Sequence, residues 1–343
     1  MTDDFSTVFS IQHKKCPFSG VIAIRRGDDL LFSCAEGLAN RSAGLANTLA
    51  TCFGMASGSK TFTAVAICYL IDQGQLTFDT RLKDCLDVHF RRFDPRVTIH
   101  HLLSHTSGIP DYFDEEVEDD YEALWKERPN YTFRTPSDFL PLFQSRPMKF
   151  TPGLRWAYSN AGYILLGLIV EKVSSLPFTH FVEENIFKPA GMVDSGYYSL
   201  DALPERTAVG YIEEKGGFRS NIYSIPIVGG PDGGAFTTAA DLTRFWDALL
   251  GARLLSPSTL AKMLASHAQR RPDNPEKGYG YGLWISLKPD RTVRAWTMLG
   301  EDPGAAFIST RYLADEVEFT LFGNLVPNAW GMYEALEPLF EEY

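Results

Sequence analysis

Two side chains in the stretch Met55–Gly74 have the types and the spacing for nucleophilic chemistry. Ser57 stands three residues before Lys60, in the only Ser-x-x-Lys of the chain, and on a helix that spacing puts both on one face, one turn apart. A serine hydroxyl is a poor nucleophile by itself. An amine set among apolar neighbours loses part of its preference for the charged form and can accept the hydroxyl proton. The residues that follow, Phe62, Val65, Ala66, Ile67, Leu70 and Ile71, are apolar on nearly every side, as in a helix buried at the centre of a protein, and Gly74 suits its end. The plainer reading of the pair is Ser57 as a helix cap and Lys60 as a first-turn surface lysine.

Tyr158, Ser159 and Asn160 form the only Tyr-x-Asn, at the start of a predicted helix over 160–174. A phenol beside Lys60 would relay the proton between nucleophile and leaving group, and a carboxamide would hold a substrate carbonyl. Asn160 also suits a helix N-cap, and the two roles are compatible.

The elements that must position these groups follow from hydrophobic periodicity. An amphipathic helix is predicted over 3–14, then a hairpin of strands 21–24 and 30–34 turning at Gly27 and Asp28, then a connector over 43–53. Helical signals continue at 79–86, 97–105, 136–144, 160–174, 177–187 and 239–251. The C-terminal part reads as four strands, YGYGLWISL, RTVRAWTM, AAFIST and VEFTLFGN, and a final helix over 329–343. Strands at both ends with helices between them predict an α+β fold, in which one antiparallel sheet from both termini carries a large, mainly helical insertion. The expected organisation is a sheet subdomain from 1–50 and 275–343 and a helical subdomain from 51–274, with the active site at their interface.

A chain of 343 residues with 45% hydrophobic and 22% charged residues is that of an ordinary globular protein. Its net charge of −11 leaves no excess of Lys and Arg to neutralise phosphates, which argues against a nucleic-acid partner. The longest nearly unbroken apolar run, 161–170, is too short to span a bilayer. The N-terminus carries acidic residues where a secretory signal would carry positive charge, so the expectation is a cytoplasmic protein, or a periplasmic or secreted one if a signal was trimmed. Five cysteines, Cys16, Cys34, Cys52, Cys68 and Cys85, contain no Cys-x-x-Cys and read as reduced, mostly buried thiols. The acidic run over 111–120 reads as a solvated loop rather than a metal cage. His100, His101 and His105 lack ligand spacing, and His105 is expected to brace its loop. No metal or cofactor is expected.

At this point the sequence resembles the serine hydrolases of the class C β-lactamase and penicillin-binding-protein type, which include DD-peptidases, D-aminopeptidases and carboxylesterases. The Ser-x-x-Lys motif itself is shared with penicillin-recognising enzymes. The resemblance extends through GQLTFDTRLKDCL, VTIHHLLSHTSGIPDY, FTPGLRWAYSNAGYILLGLIVEKVS, IFKPAGM, GGAFTTAADLTRF and GYGYGLWI, and so covers nearly the whole chain. It implies Ser57 as the acyl-forming nucleophile, Lys60 as its activating partner, Tyr158 as proton carrier and Asn160 as a substrate-binding amide.

The resemblance further implies a third motif, Lys-Thr-Gly or His-x-Gly, on a strand facing the serine. Counted back from Pro303 and Gly304, its positions hold Met298, Leu299 and Gly300, without the basic residue. The next residue, Glu301, would lend its backbone N–H to an oxyanion hole beside that of Ser57, a role independent of side-chain type. Without a cation at 298, recognition of anionic substrates weakens, unless Arg294 or Arg155 replaces it, and the reading tilts toward neutral esters or amine-bearing amides. The sequence thus predicts a carboxylesterase or peptidase-like hydrolase of small or peptide substrates. Its rivals are a class C β-lactamase or DD-peptidase and a catalytically impaired binding relative, and oligomeric state is left open.

Overall fold

The computed structural model describes residues 2–88, 90–271 and 273–340. Its centre is an eight-stranded antiparallel sheet built from both ends of the chain, in the order Asp29–Glu36, Gly20–Arg26, Val317–Gly323, Ala305–Tyr312, Val293–Asp302, Trp284–Leu287, Asn274–Tyr279, Ala268–Arg271. The interior strand Val317–Gly323, third in this order, is buried on both faces, and its alternation separates two cores. Val317, Phe319 and Leu321 face an outer cluster with Phe5 and Phe9 of helix Thr2–Lys15 and Met332 and Leu336 of helix Val326–Leu336, whereas Phe322 faces the inner one.

The inner core is organised around helix Lys60–Asp72, buried along nearly its whole length. Phe62 meets the rings of Phe187 and Phe245 edge-on at 4.8 and 4.9 Å. Helices Asn160–Ser174 and Ala239–Leu250 pack in the same cluster through Ile164, Leu165, Leu242 and Trp246. Full burial of one such side chain contributes roughly 1.5–3 kcal/mol, so this layer fixes helix Lys60–Asp72 in place. Among the described residues no single helix is long and apolar enough to cross a membrane.

The first hairpin and the helices over 160–174 and 239–251 form as predicted, with Gly27 at positive φ in the hairpin turn. Elsewhere the elements are shorter or divided. The expected helix over 79–86 is only Leu82–Cys85, because Thr77 and Thr80 bond each other in a turn ahead of it. Over 97–105 the helix is Ile99–Leu103, opened by reciprocal capping between Thr98 and His101. The segment over 177–187 begins as Phe178–Val182 and widens into the π-helical turn Glu183–Phe187. YGYGLWISL is two strands, not one: Gly280 N–H donates to Leu283 O across a turn whose Gly282 adopts φ +72° against the Lys60 carbonyl. Strand Ala268–Arg271 was not predicted, and RTVRAWTM extends to Asp302. The final helix ends at Leu336 and continues as a 3-10 turn to Phe340, and residues 341–343 lie outside those described. All five cysteines are free, but only Cys52 and Cys68 are buried, the others being half-buried.

Candidate active site

Ser57 lies in a 3-10 turn, Ala56–Ser59, that leads into helix Lys60–Asp72, rather than in the helix itself. Ala56 is held at φ +45°, a left-handed conformation that costs an alanine energy and persists only where surroundings impose it. Those surroundings are the Gly-rich segment 229–235. Gly234 N–H donates to Ala56 O at 3.1 Å, Met55 N–H to Ala235 O at 2.9 Å, and Ser59 Oγ bridges Ala56 O and Ala235 N, each at 2.9 Å. Of residues 56–60 only Ser57 is not buried.

Lys60 is 2% exposed, which removes the surface-lysine reading. Its Nζ lies 2.9 Å from Ser57 Oγ, 2.8 Å from Asn160 Oδ1 and 2.5 Å from Asp232 O. Burial lowers its pKa, opposed by the carboxylates of Asp232, Glu115, Asp302 and Asp111. Tyr158 is half-buried, with Lys60 Nζ 4.9 Å from its ring centre. Burial raises its pKa well above the usual phenol range, helped by Glu115, while the Ser57 hydroxyl acts in the opposite direction. The structure therefore brings Ser57, Lys60, Tyr158 and Asn160 together.

Asn160 is the first residue of its helix, and the cap is Ser159, whose Oγ accepts from Gly162 N–H at 3.0 Å. The free N–H groups of that helix end also bind a carboxylate from far away in sequence: Asp111 accepts from Asn160 N–H at 2.6 Å, Ala161 N–H at 3.0 Å and Tyr112 N–H at 2.7 Å. The solvated-loop reading is therefore corrected at its first residue. Asp111 is buried, and its pKa rises to about 7 as burial outweighs those donors. His105 is fully buried, accepts from Ser159 N–H through Nδ1 at 3.1 Å and reaches Tyr279 Oη through Nε2 at 3.1 Å, so it ties its own loop to the Tyr158 segment and to Tyr279. His101 caps its own helix and His100 Nδ1 contacts Tyr281 Oη at 2.7 Å. Among the described residues no group of three His, Cys, Asp or Glu is arranged to hold a metal.

Ser57 opens on a cavity of about 680 Å³. Nine residues of its lining are Asp or Glu, among them Glu115, Asp232, Glu301 and Asp302, and none is Lys, Arg or His. The acidic loop after Asp111 is thus part of the cleft wall. Burial raises Asp302 to about 7, against the favourable field of Lys60.

The third-motif positions divide. A Cβ built on Gly300 falls 2.3 Å from Met55 O and 2.8 Å from Ser57 N, so this strand runs directly against the turn that carries Ser57 and only glycine fits. Met298, on the same strand face, is fully buried in the inner core, and half-buried Leu299 packs on the outer cluster. Neither lines the cleft, which meets the strand instead at Glu301 and Asp302. The two arginines named as substitutes for that cation are engaged elsewhere: Arg294 donates to Phe340 O at 2.8 Å and Arg155 to both oxygens of Glu116 at 2.5 and 2.9 Å.

The sequence pattern of the Beta-lactamase family matches residues 14–322. The chain belongs to the β-lactamase family. This is a fold of serine hydrolases whose relatives include penicillin-binding proteins and an esterase. A penicillin-binding protein of Bacillus subtilis is 29% identical over 327 residues, covering 90% of this chain and 68% of the relative. An esterase of Burkholderia gladioli is 34% identical over 198 residues, 56% of this chain and 50% of the relative. The crystal structure of a penicillin-binding protein from Bacillus halodurans superposes with a TM-score of 0.91 at 45% identity, covering 97% of this chain and 100% of that one.

Sequence reasoning missed Asp232, which gives this β-lactamase-family site a backbone carbonyl for Lys60 and a carboxylate that accepts from the Tyr112 hydroxyl. A backbone acceptor has no side-chain signature, although GGPDGG, read as a loop that must approach another chain segment closely, was a usable signal.

Proposed function

We propose that the chain is a metal-independent serine hydrolase working through an acyl-enzyme at Ser57. The observation that carries this reading is the set of contacts around Lys60 Nζ. Asn160 Oδ1 and Asp232 O are pure acceptors and occupy two N–H groups, so a neutral Lys60 turns its lone pair to the Ser57 hydroxyl. Lys60 and Tyr158 titrate as a pair that is active after losing one proton, and burial holds the amine low and the phenol high, so Lys60 is the resting base. Ser57 Oγ attacks the ester or amide carbonyl as its proton passes to Lys60, and the N–H groups of Ser57 and Glu301 bind the oxyanion. Tyr158 delivers a proton to the leaving oxygen or nitrogen. Water then attacks the acyl-enzyme, gives its proton to the same pair, and Ser57 leaves with the proton it needs.

An acid-lined cleft without a cation supports neutral or amine-bearing acyl donors over carboxylate-bearing ones. A nitrophenyl ester of an amino acid with a free amine should therefore react with higher kcat/KM than its N-acetylated counterpart. Equal values would remove the amine from the reading. The second reading, a penicillin-recognising β-lactamase or DD-peptidase, is favoured by the 45% identity to the Bacillus halodurans penicillin-binding protein. It requires a penicillin to acylate Ser57 faster than either ester.

A further inference from the structure

Arg270 on strand Ala268–Arg271 holds its guanidinium 3.8 Å from the ring centre of Trp284 and 5.8 Å from that of Trp156. Trp284 is at the same time stacked with Tyr158, ring centres 5.8 Å apart and planes at 13°. Strand pairing explains how the side chain gets there. Ala268 pairs with Tyr279 and Tyr279 with Trp284, so Arg270, two residues from Ala268, lies on the same sheet face and reaches across.

This arginine is half-buried, yet its Nε is buried without a hydrogen-bond partner, and among the described residues it makes no ion pair. A guanidinium withdrawn from water without a carboxylate is costly. Burial and the neighbouring Arg271 accordingly pull its pKa down to about 10, while Tyr279 and Tyr158 push it back up. An unpaired cation beside aromatic rings directs its field at those rings. Tyr158 is the one with a reason to need it. The groups that face Tyr158 are Lys60 from the nucleophile's helix, Glu115 from the acidic loop, Asp232 from the Gly-rich segment, His105, Tyr163 of helix Asn160–Ser174, Tyr279 and Arg270. Glu115 and Asp232 both oppose charge on the phenol. Lys60 can offset them only while protonated, the form it must leave to act as base.

We propose that Arg270 is a positioning residue for proton transfer at Ser57: seated on Trp284 with no ion pair among the described residues, its guanidinium supplies the positive field that eases negative charge onto Tyr158. The inference rests on the reading of Tyr158 as proton carrier. It also accounts for a site that works with Met298 buried in the core where the family resemblance leads one to expect a cation.

The experiment is the single-turnover acylation rate with ethyl phenylacetate, whose alkoxide leaving group must take up a proton as it departs, measured against pH in wild type, Arg270→Gln, Arg270→Met, Arg270→Lys and Tyr158→Phe. Methionine keeps apolar packing on Trp284 without the charge, so the result does not hang on one substitution folding. A unit charge two ring spacings away, in an effective dielectric near 20, shifts a titration by on the order of one pH unit. Removing a cation raises the pKa of the Lys60–Tyr158 pair. The acid limb in the Gln and Met variants should therefore move up by about one pH unit, costing about tenfold in rate below it, with the limb restored in Arg270→Lys. A limb that stays in place in both neutral variants, or a loss independent of pH, overturns the role of Arg270. If Tyr158→Phe acylates at the wild-type rate, the underlying reading of Tyr158 fails instead, whatever Arg270 does.

Discussion

Lys60 Nζ stands 2.9 Å from Ser57 Oγ with its other two contacts fixed on oxygens that can only accept. The amine is therefore aimed, and its orientation does not depend on a substrate. Such preorganisation keeps the reorganisation cost of proton transfer low at the moment of reaction. The cost is carried by the fold, which buries a lysine among carboxylates and holds Ala56 in a strained turn above it.

Lys60→Met should lower the acylation rate by about a hundredfold or more, the usual scale for losing general-base help. The variant should still fold, since the flexible apolar side chain fills the same channel between helix Lys60–Asp72 and the Gly-rich segment. Acylation at the wild-type rate in stopped-flow measurements would remove Lys60 from the mechanism.

Gly300→Ala and Leu299→Ala should have opposite signatures. At 300 the added carbon meets backbone atoms of Met55, Ser57 and Gly58, so the turn carrying the nucleophile must shift and acylation should fall by about a hundredfold. At 299 the lost side chain faces the outer cluster. That truncation should cost about 2 kcal/mol in a denaturant titration and leave KM and the acylation rate near wild type. A raised KM in Leu299→Ala would mean that residue 299 meets the substrate after all.

Asp302→Asn tests the acidic cleft with a sign that can be worked out. The Asp302 carboxylate raises the pKa of Lys60, so its removal should move the acid limb of acylation to lower pH, by on the order of one unit or less. Asp302 itself ionises at about 7, so the wild-type preference for an ester that carries a fixed quaternary ammonium over its neutral counterpart should grow as pH rises through that value, whereas a free α-amine would lose its own proton at about pH 8. The variant should lose this growth. A preference that is unchanged from pH 5 to 9 in both proteins would place the ammonium elsewhere.

Glu318 predicts an effect on stability alone. It is 2% exposed, accepts from Thr243 Oγ1 at 2.9 Å and lies 3.7 Å from Arg311, and burial raises its pKa to about 7. An acid whose folded pKa exceeds its unfolded value near 4.5 leaves stability intact below that value and reduces it progressively up to about 7. Glu318→Gln should therefore gain stability relative to wild type between pH 5 and pH 8, by about 2–3 kcal/mol in chemical denaturation. A difference that is constant over this range would show that the carboxyl is ionised in the fold at both ends.

How legible the site was depended on whether its signal is local. Ser57 with Lys60 and Tyr158 with Asn160 are pairs within three residues of chain, and helix Asn160–Ser174 announces itself by an apolar run behind Ser159, so their types and spacing were enough to point to the four side chains that the structure brings together. Asp111 was hidden by its neighbours: a run of acids reads as solvated, yet its first member turns inward to a helix end 49 residues away, while Glu115 onward form the cleft wall. Met298 was placed on the right strand, but the depth at which a side chain sits on a strand face is decided by packing on the far side. The division of YGYGLWISL at Gly280 was written in its glycines, which close approach to helix Lys60–Asp72 explains only once that helix is in place. Arg270 carried no local signal at all, because its meaning comes from two strand pairings.

The central claim is that Ser57 forms the acyl-enzyme. Intact-protein mass spectrometry after incubation with a fluorophosphonate, a fluorescent penicillin and a short-chain nitrophenyl ester, on wild type and on Ser57→Ala, tests it directly. The account predicts a single stoichiometric adduct on wild type and none on Ser57→Ala, with the neutral ester reacting faster than the penicillin. Adducts that persist in Ser57→Ala, or no adduct on wild type with any of the three, would contradict it, and the latter result would leave a protein that keeps this fold for binding alone.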